Sequence, residues 1–183
     1  HKRLWLECYR RELADPLSPE RLALFQAGHE FGELARERYP GGVLVAEDHR
    51  QSYAAQQTTA RLLAENVSCL YEAAFAYDGV LVRVDIVRKL AVDSWELVEV
   101  KSSRQLKPEH ITDAAIQTYV ARGTGVPVRE IRLLHLAPGS AYPDGSCEPQ
   151  DLFAAEDITA RVEEYLPSIP ALLAEMKTML TAE

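Results

Sequence analysis

The chain has 183 residues, 47% hydrophobic and 26% charged, a composition that excludes wholesale disorder and fits one globular domain over residues 1–183 with a substantial core. No apolar run nears the roughly 18 residues a membrane span needs, and His1-Lys2-Arg3-Leu4-Trp5-Leu6-Glu7 is followed by no apolar stretch of the kind a signal peptide has. A formal net charge of −8 argues against a generic nucleic-acid coat.

That charge is unevenly spread. The segment from Glu148 to Glu183 holds eight acids against Arg161 and Lys177, so the rest of the chain is close to balanced. Between Arg83 and Lys107 the sign reverses, with Arg83, Arg88, Lys89, Lys101, Arg104 and Lys107 outnumbering the acids. Cys8, Cys69 and Cys147 are scattered and form no CxxC pair, so a disulfide framework is not expected and a reducing, cytoplasmic setting is. The chain opens without an initiator Met, which suits a piece of a longer protein with a fused or partner domain outside it.

In chain order, Ser18-Pro19-Glu20 reads as a helix start, with Ser as N-cap and Pro in the first turn. Leu22, Leu24, Phe25 and Leu34 then recur at helical spacing as far as Tyr39, and Pro40-Gly41-Gly42 ends the helix. Val43-Leu44-Val45 is a very short strand, and a second helix covers Gln51 to Glu65. Three strands follow closely. Val67 to Tyr77 closes on the turn dipeptide Asp78-Gly79, Val80 to Leu90 follows, and Trp95 to Ser102 lies beyond a short loop at Asp93-Ser94. Pro108 to Arg122 reads as a helix ended by Gly123, and Arg129 to Leu136 as another strand. A loop with Pro138, Gly139, Pro143 and Gly145 precedes a mostly helical end from about Asp157, interrupted near Pro167 and Pro170. The order is that of a mixed α/β sheet: a three-strand antiparallel meander, a crossover helix and a fourth strand.

Strand periodicity places the chemistry. In Trp95 to Lys101 the odd positions share one face, so Glu99 and Lys101 project side by side. Arg83 and Asp85 share a face of the preceding strand, and pairing of the two strands brings Asp85 toward Glu99. Two carboxylates and an ammonium among Val, Leu and Ile are costly to bury unless a cation joins them. Mg²⁺ suits such a site because it takes oxygen ligands and keeps several waters. It would polarise a phosphate and acidify a bound water, with Lys101 orienting that water or stabilising charge on the phosphorane. The same residues also read as a structural cross-strand pairing, since Glu-x-Lys recurs as Glu175-Met176-Lys177, a solvated surface pair. Glu72 either pairs with Arg83 or approaches the site.

Asp85 followed by Glu99-Val100-Lys101, within a helix, three strands, helix, strand order, resembles the PD-(D/E)XK nuclease superfamily, and more closely its RecB-like exonuclease branch. Gly28-His29-Glu30-Phe31-Gly32-Glu33 resembles the first-helix motif of that branch, with Gly32 at its usual His position and Glu33 at its acidic one. Gln117-Thr118-Tyr119 resembles its Gln…Tyr motif, at closer spacing, and Lys2-Arg3-Leu4-Trp5-Leu6 resembles the start of such domains. The resemblance implies a restriction-endonuclease-like α/β core and a Mg²⁺- or Mn²⁺-dependent phosphodiesterase acting on single- or double-stranded DNA. It implies Asp85, Glu99, the Val100 carbonyl and Glu33 at the metal, Lys101 as the catalytic lysine, and Gln117 and Tyr119 at the substrate or bracing the site. Two positions apart on a helix, those last two cannot point the same way. Arg83, Arg88, Arg104 and Lys107 would contact phosphates without reading sequence. No iron–sulfur cluster is expected, because only three widely spaced cysteines are present. Two further readings stand beside the enzyme: a catalytically degenerate nucleic-acid-binding or assembly module of the same fold, and a helix-rich interaction domain in which the trio is only an ion pair.

Overall fold

A computed structural model describes residues 9–10, 18–140 and 149–181. Lys2-Arg3-Leu4-Trp5-Leu6, Cys8, Pro143, Gly145 and Cys147 lie outside the described residues. The first helix, α1, is Pro19–Glu37, with Leu22 N–H bonded to the Ser18 carbonyl at 3.0 Å, as the Ser-Pro start predicts. Its buried stripe is Phe31 and Ala35, continued by Tyr39. Leu22 and Phe25, expected to face the core, are instead 53% and 54% exposed: the stripe that meets the sheet begins only at Phe31.

After the Pro40-Gly41-Gly42 stop come β1 (Val43–Leu44) and α2 (Ser52–Ala64). The meander is β2 (Cys69–Tyr77), β3 (Val80–Ala91) and β4 (Ser94–Lys101). Helix α3 (Pro108–Gly123) crosses over to β5 (Val128–Leu136). A four-residue helix α4 (Pro149–Leu152) and a strand β6 (Phe153–Asp157), neither expected from the sequence, follow. Helix α5 (Thr159–Tyr165), a 3₁₀ turn around Pro167 and α6 (Ile169–Thr181) end the described chain.

Among the described residues the strands form one mixed sheet in the order β1-β2-β3-β4-β5-β6. β1–β2 and β4–β5 pair in parallel, the others antiparallel. The α2-β2-β3-β4-α3-β5 succession is the α-β-β-β-α-β order of a restriction-endonuclease-like core, with helices against the sheet. Asp78 and Gly79 join β2 to β3 with φ of 49° and 69°, the positive pair a type I′ hairpin turn requires. One face of the sheet carries Leu70, Phe75, Val87, Leu97 and Leu133 against α2, α3, α5 and α6. The other carries Tyr71, Ile86, Val98 and Leu134 against α1.

On the α1 face a fully buried Glu96 carboxylate is held by Arg88 Nε at 2.9 Å and Arg132 Nε at 2.7 Å, so the charge is paired within the sheet across β3, β4 and β5. On the other face Asp78 gathers the hairpin tip: it accepts from Tyr119 Oη at 3.2 Å and pairs with Lys177 Nζ at 2.6 Å. Lys177, expected as half of a solvated pair with Glu175, is therefore a tether between α6 and the meander. A Cβ on Gly123 would lie 2.1 Å from the Tyr77 ring, so α3 can close on this hairpin only without a side chain there.

Candidate active site

Pairing between β3 and β4 runs from Ala91–Ser94 to Ile86–Val98 and goes no further, while β4 continues beside β5 through Lys101. The two strands fork beyond Ile86, and Asp85 sits at the fork. Its Oδ2 accepts the Val100 N–H at 2.7 Å, taking a donor that β3 backbone no longer meets. Glu99 and Lys101, two apart on β4, project together toward α3, as strand periodicity predicts. Lys101 Nζ lies 2.7 Å from Glu99 Oε1, and Gln117 Nε2 on α3 donates to Glu99 Oε2 at 2.6 Å. Lys101 Nζ also pairs with Asp113 Oδ2 at 2.9 Å, one helical turn before Gln117.

On the other side of Asp85, β2 is irregular. Tyr71 pairs with Ile86 and Ala73 with Val84, yet Glu72 and Asp85 between them do not pair. Glu72 holds φ at 57°, a left-handed conformation rare for a residue without glycine's freedom and costing about 1–3 kcal/mol. The side-chain alternation slips there: Leu70 faces the α3 layer, Tyr71 the α1 layer, and Ala73 and Phe75 the α3 layer again. Glu72 is tethered to α1 by Arg36 Nη2 at 3.2 Å.

Burial raises the Asp85 carboxyl well above the ordinary aspartate range, and repulsion from Glu99 and Glu72 adds to it, against the Val100 N–H and Lys101. Burial by itself would lower Lys101, but Glu99 and Asp113 outweigh it and hold its ammonium above the usual lysine range. His110, buried in the first turn of α3 with Nδ1 at 3.3 Å from the Lys107 N–H, is pushed down by burial and then by Lys101.

Not every expected residue joins this group. Glu33 is exposed and its ionic partner is His29, at 3.6 Å; the α1 side chain turned toward the fork is Arg36, through Glu72, and not Glu33. Tyr119 belongs to the hairpin tip, not the site, because two residues on from Gln117 the helix has turned it to Asp78 and Tyr77. Arg83 donates to the carbonyls of Val45 and Glu47, not to Glu72, and Arg104 to those of Ala137 and Ser140. Arg88 lies on the α1 face with Glu96 and the Tyr39 ring, across the sheet from Glu99. Of the four expected phosphate contacts, Lys107 keeps an exposed ammonium, 3.9 Å from Glu109. Asp113 and the twist at Glu72 were missed. A lone Asp on a helix carries no signal of its own, while a charged residue within an apolar strand run was the one available hint for Glu72.

Among the described residues no three His, Cys, Asp or Glu side chains come together as a ready-made metal cage. The donor set still suits a hard ion that keeps most of its water. Asp85 and Glu99 are neighbouring oxygen donors whose mutual repulsion, after burial, helps raise the Asp85 carboxyl, and a divalent ion would relieve it. The described residues contain no helix long and apolar enough to cross a membrane.

The chain matches no protein-family model and no curated protein. Among solved structures, one described as the crystal structure of SSO0001 is similar at 14% identity and a TM-score of 0.31, over 79% of this chain and 69% of that one. A likeness at that level carries no argument about this chain.

Proposed function

We propose that the chain is a cytoplasmic, Mg²⁺- or Mn²⁺-dependent nuclease of the PD-(D/E)XK type that hydrolyses phosphodiester bonds in DNA. The observation that carries this reading is the convergence of Asp85, Glu99 and Lys101 at the fork where β3 leaves β4. Asp85 and Glu99, with the Val100 carbonyl, would hold the ion. Bound there, it would supply Lewis-acid polarisation of a phosphate oxygen and a more acidic water. Lys101 is held as an ammonium by Glu99 and Asp113, so it acts as a fixed positive charge facing the reacting phosphate and not as a base. Gln117 fixes the rotamer of Glu99 through its 2.6 Å hydrogen bond. Lys107 at the start of α3 is an exposed cation that would meet a neighbouring phosphate.

The test is incubation of linear single- and double-stranded DNA with the protein in Mg²⁺, Mn²⁺ or EDTA. Cleavage is expected with either ion and not with EDTA, and Glu99→Ala or Lys101→Ala should each lower the rate by about 10²–10³-fold or more. Among the described residues no third carboxylate gathers with Asp85 and Glu99, which favours a second reading, a degenerate module that binds nucleic acid without cutting it. Retained DNA binding with no cleavage of DNA or RNA in either metal would decide for that module.

A further inference from the structure

The Glu99–Lys101 pair is closed from outside by one helix. Asp113 and Gln117 stand four residues apart on α3, the spacing that puts two side chains on one helical face, and each takes one member of the pair. Gln117 donates to Glu99 Oε2 at 2.6 Å, and Asp113 Oδ2 accepts from Lys101 Nζ at 2.9 Å. Lys101 thus has two anionic holders, one on its own strand and one on the facing helix. A lysine ammonium ends four flexible carbons, and fixing it costs rotamer freedom, so a second anchor matters. The two anchors differ in burial: Glu99 is inside the site, whereas the Asp113 side chain is half exposed at its rim.

We propose that Asp113 is a positioning residue: it holds the Lys101 ammonium over the site through a contact independent of Glu99, so that Lys101 keeps its place when Glu99 engages another cation. The inference rests on the nuclease reading for its catalytic consequence, but the contact itself belongs to this chain whatever its substrate. With Glu99 as its one partner, Lys101 would follow that carboxylate; with Asp113 it stays between the strand and the helix.

The test compares wild type, Asp113→Asn, Asp113→Glu and Lys101→Ala, with the double variant Asp113→Asn/Lys101→Ala, after thermal unfolding has shown all five folded. Asp113→Asn should lower kcat at least about tenfold with KM for DNA within about twofold, because displacing a reacting group by about 1 Å is enough for such a loss. Asp113→Glu should restore most of the rate, and in the Lys101→Ala background Asp113→Asn should change nothing further. An unchanged kcat, a loss confined to KM, or a full additional loss in the Lys101→Ala background would each overturn the inference. A second arm reads the contact without catalysis: acylation of Lys101 by an amine-reactive ester, followed by mass spectrometry, should run several-fold faster in Asp113→Asn than in wild type, and equal rates would overturn the inference. If wild type cuts no nucleic acid, the nuclease reading fails, and this second arm decides for or against Asp113.

Discussion

Asp85 is the residue at which stability and chemistry oppose each other. Partly buried beside Glu99 and near Glu72, it binds its proton more tightly in the folded chain than in the unfolded one. A carboxyl with its folded-state pKa raised contributes stability fully below the unfolded-state value, about 4, and that contribution is lost as pH rises through the folded-state value. Asp85→Asn keeps an oxygen for the Val100 N–H and removes the charge. At pH 7 without metal it should therefore be more stable than wild type in urea denaturation, and the difference should vanish below about pH 4. A variant less stable at pH 7 would mean that the carboxylate is already compensated. At this scale the sequence was most legible at Glu99 and Lys101, because a strand's period of two fixes which side chains are neighbours whatever the strand packs against. Glu33 and Tyr119 were misplaced because a local motif says nothing about which way the helix carrying it is rolled against the sheet.

At the scale of elements, α3 does most to assemble the site, presenting Asp113 and Gln117 to β4 and closing on the hairpin at Gly123. It also carries an uncompensated polar atom: Thr118 is fully buried and its Oγ1 has no hydrogen-bond partner among the described residues. Thr118→Val replaces that hydroxyl with a methyl of nearly the same shape, so it should raise stability by about 1 kcal/mol in thermal or urea unfolding, leaving any DNA cleavage unchanged. A destabilised variant would show that the hydroxyl is satisfied in solution. The helices and the meander were legible from their starts, stops and apolar runs. The strand β6 was not: Phe-Ala-Ala-Glu-Asp has little alternation and few β-branched residues, and it is held as a strand by its pairing with β5, from Leu136–Phe153 to Arg132–Asp157.

For the whole molecule the decisive question is whether the folded state binds a divalent ion that the unfolded chain does not. If Asp85 and Glu99 form a site, ligand at a hundred times its dissociation constant adds about 2.7 kcal/mol to stability, a rise of roughly 5–10 °C in unfolding temperature for a chain of this length. Differential scanning fluorimetry with Mn²⁺ and Mg²⁺ should show that rise in wild type and its loss in Asp85→Asn/Glu99→Gln. An equal rise in both would place the ion elsewhere and remove the support it lends the nuclease reading. Scale also explains the basic stretch between Arg83 and Lys107. It reads as one surface along the chain, yet folding sends Arg88 to the α1 face and spends Arg83 and Arg104 on loop carbonyls, so half of its six cations are structural.

By itself the sequence determined the kinds of element, their order and the pair of side chains on β4, since these depend on spacing along a short stretch of backbone. Only the tertiary structure decided which distant residues complete the group. The fork between β3 and β4, the reversal of faces at Glu72, the Arg36 tether and the arrival of Asp113 over Lys101 all depend on how layers far apart in sequence are seated. No local pattern encodes that seating, because it is set by packing on both faces of the sheet at once.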